Sequence, residues 1–174
     1  MRINKKLRCF TLLEILLYVA MASIITLSIA VLVTDVLQLR EKNRAILEVE
    51  TQGTLLMQNL TQTIRNARSV TSPLIQSSSQ VLEISSDDAP ANPTIFEVTG
   101  DSIGIKQAGQ VVATPLLSEK VAIKDVSFEN LSDNPDKPDS IKINFTLYYK
   151  TNEARGGYGY ENKFYSTTTI RNIL

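Results

Sequence analysis

The sequence contains no histidine, and this absence excludes several kinds of chemistry. Serine and cysteine hydrolases with a histidine base need the residue, and so do histidine-ligated zinc sites. Cys9 is the single cysteine, so no intrachain disulfide can form. Since no other catalytic constellation is visible, we expect a protein that is not an enzyme.

Basic residues are scarce after the first nine positions. Four of the 18 Lys and Arg residues lie in Met1–Cys9, which holds no acid. After Val70 there are nine basic and thirteen acidic residues, a formal charge of −4. An acidic domain repels phosphate backbones, so no direct nucleic-acid binding is expected.

Glycine and proline are both missing from Phe10 to Gln52, so nothing local interrupts a helix there. Within this stretch, Leu12–Val33 is a run of 22 residues whose single charge is Glu14. A helix of that length spans roughly 33 Å, enough for a hydrocarbon core of about 30 Å. Because the basic residues precede the run, Met1–Cys9 is expected to stay cytoplasmic and the carboxyl-terminal part extracytoplasmic.

The apolar run has several competing interpretations. Signal-peptide apolar regions usually have about 7–15 residues, and this run is longer. A buried soluble helix is disfavoured for the same reason. A lipoprotein signal would need its cysteine after the run, whereas Cys9 precedes it. An ordinary single-pass anchor remains an alternative.

Glu14 is the informative residue of the run, because carboxylates in apolar membrane segments are functional candidates. If Phe10 became the amino terminus, its free α-amine would lie about one helical turn from Glu14. The amine of a staggered neighbour could also reach this carboxylate. Alternatively, Glu14 extends towards the cytoplasmic headgroups.

The basic leader, Cys9 and Phe10-Thr11-Leu12-Leu13-Glu14, followed by the apolar run, resemble the prepilin cleavage and methylation motif. Type IV pilins and type II secretion pseudopilins share this motif, usually with glycine where this chain has Cys9. The resemblance implies cleavage between Cys9 and Phe10 by prepilin peptidase and N-methylation of Phe10. It also implies that Glu14 pairs with the amino terminus of a neighbouring subunit during assembly.

Two further segments, Ile64–Ala67 and Ser166–Asn172, look like J-type pseudopilins and W-type minor pilins. The resemblance implies a minor pilin or pseudopilin, a structural subunit of a type IV pilus or type II secretion-like filament. It would sit in the inner or cytoplasmic membrane before assembly, and in a periplasmic or cell-surface filament afterwards. Its partners would be other pilins through the amino-terminal helix, prepilin peptidase, the inner-membrane assembly platform and membrane lipid. The alternative is an anchored extracytoplasmic binding or adhesion module that does not assemble.

The fold class expected is α+β, with a long amino-terminal helix packed on a carboxyl-terminal antiparallel sheet, as in the pilin fold. The expected domains are a leader at 1–9, a membrane and filament-core helix at 10–33, its continuation at 34–70 and a β-rich domain at 71–174. Steps of three and four place small or apolar residues on one face of the continuation: Ile46, Val49, Gly53, Leu56, Leu60, Ile64 and Ala67. Gly53 is expected to permit close packing, and Pro73 to end the helix.

From Val81 the apolar period changes to two, which predicts strands. The runs are Val81, Phe96–Val98, Ile103–Ile105, Val111–Ala113, Val121–Phe128 with one irregular step, Ile141–Tyr149 and Phe164–Asn172.

Three weaker features complete the candidates. Ala22, Thr26 and Ala30 form a row of small residues that suits helix packing in lipid, or that arises by chance. Asp133, Asp136 and Asp139 form a weak calcium candidate, although charged clusters of this kind usually form turns, and no cofactor is expected. The segment Gly156–Tyr160 suits a hairpin tip or an aromatic contact loop. Asp87 and Asp88 would point to opposite faces of a strand and so would not share a site.

Overall fold

The computed structural model describes residues 11–86, 92–134, 138–150 and 159–171. Within these residues the chain forms one helix, α1 (Leu12–Arg65), and nine strands. The strands are β1 (Ser69–Ser72), β2 (Ser78–Ser79), β3 (Leu82–Ser85), β4 (Thr94–Thr99), β5 (Ser102–Lys106), β6 (Thr114–Pro115), β7 (Val121–Asn130), β8 (Ser140–Tyr149) and β9 (Glu161–Thr169). The chain divides into two compact units, Met1–Glu41 and Lys42–Leu174.

The first unit contains the amino-terminal part of α1. Between Leu12 and Glu41 every side chain is exposed except that of Glu14, which is half-buried. This helix is long and apolar enough to cross a membrane. The expected membrane-spanning candidate is therefore present, and it is compatible with a single-pass membrane protein.

The second unit packs the rest of α1 against two antiparallel sheets. One sheet has the order β1-β3-β4-β5-β6 and the other β2-β7-β8-β9. The helix buries one row of side chains, which we call the packing stripe: Ala45, Val49, Gly53, Leu56, Leu60 and Ile64. Apolar residues of both sheets join this row in one core. The α+β architecture is confirmed and is consistent with the pilin fold, although two sheets, rather than one, cover the helix.

The two long central strands follow their sequence patterns closely. In β8, Ile141, Ile143, Phe145 and Leu147 are all buried, as their alternation predicts. In β7 the register with β8 shifts between Lys124 and Ser127. Asp125 lies within that shift at a φ of 55°, a region that aspartate tolerates better than most residues. The irregular step expected in this strand is thus a β-bulge.

The helix ends earlier than its pattern predicts, and the expected end near Val70 and Pro73 is wrong. Ser69–Ser72 instead form β1, which pairs with β3 through Val70 and Ile84. The N–H of Arg68 donates to the carbonyl of Ser85 at 2.8 Å, so pairing begins three residues after the helix ends. Sheet hydrogen bonds therefore replace the helical ones in this segment.

One predicted strand is absent from its expected place. Val111 and Val112 are 89% and 77% exposed and lie outside any strand. The short strand β6 follows them and pairs Pro115 with Gly104. Because the valines have no sheet face to cover, their β propensity is not expressed. The polar strands β1 and β2 have no apolar alternation and were not predicted.

Candidate functional site

The first turn of α1 carries Glu14 and is capped by Thr11. The N–H of Glu14 donates to the hydroxyl of Thr11 at 3.3 Å and to its carbonyl at 3.0 Å. Thr11-Leu12-Leu13-Glu14 matches the spacing of a capping box, in which threonine satisfies an N–H group left open by the helix start. Glu14 is therefore held at a defined helical position, next to the positive end of the helix dipole.

The Glu14 carboxylate bonds within its own helix to Tyr18. The Tyr18 hydroxyl donates to Oε1 of Glu14 at 3.1 Å, one turn further along. Residues four apart lie on the same helix face, so this contact follows from their spacing. An ionised carboxylate can accept about four hydrogen bonds, so this contact leaves Glu14 able to accept others.

The hydroxyl groups of the apolar run are satisfied by the helix itself. Ser23, Thr26 and Ser28 donate to the carbonyls four residues earlier, at 2.8–2.9 Å. In lipid, where no water is available, such internal bonds avoid the cost of an open donor. The helix therefore presents mainly carbon to its surroundings.

The small-residue row retains its spacing along the helix. Thr26 donates to the carbonyl of Ala22, so the polar end of its side chain is occupied within the row. Ala22, Thr26 and Ala30 are all exposed, as a surface for a neighbouring helix requires. The predicted cleavage and methylation positions, Cys9 and Phe10, lie outside the described residues.

The segment that holds the weak calcium candidate is organised partly by its own hydrogen bonds. Oδ2 of Asp139 accepts the N–H of Val70 at 3.1 Å, and Oδ1 accepts the hydroxyl of Ser132 at 3.2 Å. Asp133 is exposed, and Asp136 lies outside the described residues. Among the residues that the structure describes, no group of three or more candidate metal ligands occurs. The evident role of Asp139 is to fasten β1 to the start of β8.

Polar contacts fasten the second half of α1 to the strands. Oε1 of Glu50 accepts the hydroxyl of Tyr160 at 2.8 Å and Nδ2 of Asn162 at 2.7 Å. The hydrogen bond to Glu50, with burial adding to it, raises the pKa of Tyr160 above its usual value. On another side, Glu48 accepts the hydroxyl of Ser118 at 2.9 Å. Tyr160, the end of the predicted tyrosine-glycine loop, is therefore engaged with the helix.

Aspartates 87 and 88 and residues 156–158 of that loop lie outside the described part of the chain. Sequence reasoning missed two contacts, those of Thr11 and Tyr18. The first was detectable as a threonine three residues before Glu14, and the second as a hydroxyl donor four residues after it.

Comparisons with protein-family models, with curated proteins and with solved structures find no match for this chain. Function is therefore inferred from its residues and their geometry.

Proposed function

We propose that the protein is a minor pilin or pseudopilin, a structural subunit of a type IV pilus or type II secretion-like filament. The observation that carries this proposal is the position of Glu14, a carboxylate in the first turn of α1 and the single charge in the exposed apolar run Leu12–Val33. The apolar helices of several subunits form the filament core, and the β-rich domains form its surface. The work is mechanical and needs no catalytic group.

The hydrogen bonding of Glu14 supports a partner beyond its own helix. Tyr18 supplies one neutral donor, whereas a charged donor forms a hydrogen bond roughly twice as strong. A free α-amine at Phe10 is the cation that cleavage after Cys9 would create. In a filament core of low dielectric, this amine on one subunit compensates the carboxylate of the next.

Processing is tested by mass spectrometry of the full chain co-expressed with a prepilin peptidase. The expected mass corresponds to loss of residues 1–9 and addition of one methyl group to Phe10. A protease-dead peptidase is the control and should leave the precursor intact. An unchanged mass with the active peptidase would contradict the proposal.

Assembly is tested with Glu14→Ala in cells that make the filament. We expect the variant to remain in the membrane and its incorporation to fall by about tenfold or more, since a lost ion pair worth 1.4 kcal/mol gives that factor. Tyr18→Phe is the matched control, because it removes the internal donor and keeps the carboxylate. A single-pass binding module that does not assemble would be indifferent to both changes.

A further inference from the structure

Strand β9 is the last strand of its sheet, and part of its backbone is open. The N–H of Tyr149 donates to the carbonyl of Tyr160 at 2.8 Å, and the N–H of Ile170 donates to that of Asp139 at 2.9 Å. These two bonds lie at the two ends of β9, and both involve even-numbered residues there, Tyr160 and Ile170. The even-numbered residues of β9 therefore form the pairs that are hydrogen-bonded to β8. In an antiparallel ladder the intervening residues, here the odd-numbered ones, direct their N–H and C=O groups away from the partner strand. Tyr165 and Thr167 therefore direct N–H and C=O groups outward, and within the described residues these groups have no partner.

A groove adjoins this open edge. It has a volume of about 530 Å³, and one wall is the face of α1 from Thr54 to Arg65, with Asn66 just after the helix end. Phe164 and Tyr165 of β9 form the other wall, and Tyr165 is 77% exposed. The eleven helical steps from Thr54 to Arg65 span about 16.5 Å, which matches roughly five residues of extended chain. The groove has the length and the hydrogen-bonding edge that an added strand needs.

The charges around the groove favour an acidic occupant. Arg65 lines it, and Lys163 and Arg171 lie on or just after β9. The nearby acid Glu161 is already paired with Lys124 at 2.6 Å. A second acid, Glu50, accepts hydrogen bonds from Tyr160 and Asn162 at the start of β9. Counting both acids, basic side chains still outnumber acidic ones around this edge among the described residues, although the chain after Val70 carries a formal charge of −4.

We propose that the β9 edge and its groove bind an extended, acidic peptide segment of another polypeptide. The segment adds to the sheet through the open groups of Tyr165 and Thr167, and a carboxylate on its helix-facing side lies near Arg65. A second copy of β9 is disfavoured, because its pairing would bring two basic edges together. The inference goes beyond filament assembly and does not depend on it.

The test measures binding of synthetic peptides to the full chain in detergent, by fluorescence anisotropy. The probe is a peptide of about nine residues with alternating valine and threonine and an aspartate at each end. We expect it to bind at least about tenfold more tightly than the same peptide with lysines at its ends. Absence of binding, or preference for the lysine peptide, would overturn the proposal.

Two N-methylated probes test main-chain pairing. One probe carries methyl groups on its odd-numbered amides and the other on its even-numbered amides. In an added strand only alternate amides point towards β9, so only one of the two probes has its methyl groups at the pairing positions. One probe should lose about tenfold in affinity or more and the other should bind nearly as the parent does. Equal affinities of the two would exclude strand addition. Binding of neutral oligosaccharides in place of the peptide would reassign the groove to a different ligand.

Variants of the chain locate the site. Thr167→Pro removes an outward N–H on an edge strand, where proline is tolerated, and should weaken probe binding about tenfold. Arg65→Gln tests the charge and should weaken the acidic probe several-fold, whereas Lys120→Gln, the same charge change away from the groove, should not. Hydrogen exchange should slow at Tyr165 and Thr167 when the probe binds. Unaltered exchange there, or equal effects of the two glutamine variants, would place the peptide elsewhere.

Discussion

The first and second parts of α1 differ in what covers them. Up to Glu41 the helix buries none of its apolar side chains, whereas from Lys42 it buries six residues along the packing stripe. Both parts satisfy their backbone groups by the same helical hydrogen bonds. The helical conformation is therefore the same whatever surrounds the helix. The distribution of its apolar residues determines what each part packs against. An apolar surface on all sides suits lipid or neighbouring helices, and one stripe suits the face of a sheet.

The polar residues of the two parts differ in the same way. In the first part, hydroxyl groups bond to carbonyls of their own helix, as Ser23 does to Val19. In the second part, Glu48 and Glu50 reach side chains far away in sequence. The serine and threonine hydroxyls of the apolar run thus bond within the helix, whereas Glu48 and Glu50 bond to residues of the β-rich part of the chain.

The largest expected contrast comes from the same leucine truncation in the two parts. Leu60→Ala should lower the free energy of unfolding of the β-rich unit by about 2–5 kcal/mol, because Leu60 is fully buried. Leu27→Ala, at a 68% exposed position, should leave it unchanged. Denaturant unfolding of the full chain in detergent, followed by near-UV circular dichroism, measures both. Similar losses in the two variants would contradict this division of the helix.

Gly53 tests how closely the second part packs. A Cβ atom at this position would collide with the ring of Phe164, which stacks on Phe145 with centroids 5.4 Å apart. Gly53→Ala should therefore cost about 1–3 kcal/mol of stability, reduced by the better helix propensity of alanine, about 1 kcal/mol. In a Phe164→Leu background the added alanine should cost less or become stabilising. A stabilising effect in the natural background would mean that Phe164 moves aside easily.

Ala22 tests the first part, where we expect an effect on assembly and none on the β-rich unit. Ala22→Leu enlarges the small-residue row and should reduce filament incorporation about three- to thirtyfold, given contact energies of about 0.6–2 kcal/mol between helices in membranes. Ala20→Leu is the matched control, because it lies on nearly the opposite helix face. The two variants should unfold like the parent. Equal incorporation of both would remove the row from the assembly surface.

The smallest expected effect concerns Tyr160, which fastens β9 to the second part. Tyr160→Phe removes the hydrogen bond to Glu50 and should cost under about 1 kcal/mol, since the contact is partly solvated. Because the folded pKa of Tyr160 is raised, its contribution is present below about pH 10, the ordinary value for tyrosine, and is lost as the pH rises through the folded pKa. The difference in free energy of unfolding between the parent and Tyr160→Phe should therefore disappear at alkaline pH. Tyr165→Phe, at an exposed position, is the control and should leave the free energy of unfolding nearly unchanged.

Strands with a buried face were predictable, and those without one were not. The alternation in β8 and the irregular step in β7 were visible because most of the buried residues of these strands are apolar and recur with a period of two. The short strands β1 and β2 are rich in serine and exist through pairing with β3 and β7. Their partners are distant in sequence, so no local pattern indicates them.

The sequence predicted Glu14 as the candidate site, but it did not predict which residues contact Glu14. The sequence indicated an isolated carboxylate in an apolar run, and the structure adds the Thr11 cap and the Tyr18 hydroxyl.

The packing stripe was predicted with two differences. Ile46 is half-buried, and Ala45 takes the buried place four residues before Val49. Ala67 is buried as expected, but it lies after the helix has ended at Arg65. A helical face is broad enough that either of two adjacent residues, here Ala45 or Ile46, can point towards the core. Only the tertiary packing determines which of them is buried.

Local chemistry alone determined that this chain has a long apolar helix, a lone acid near its start and an α+β continuation. These properties follow from charge, hydropathy and periodicity, which act between residues close in sequence. Tertiary structure alone decided that the helix ends at Arg65, that two sheets cover it and that β9 remains an open edge. Each of these depends on hydrogen bonds or packing between segments far apart in the chain, whose pairing is fixed only when the core forms.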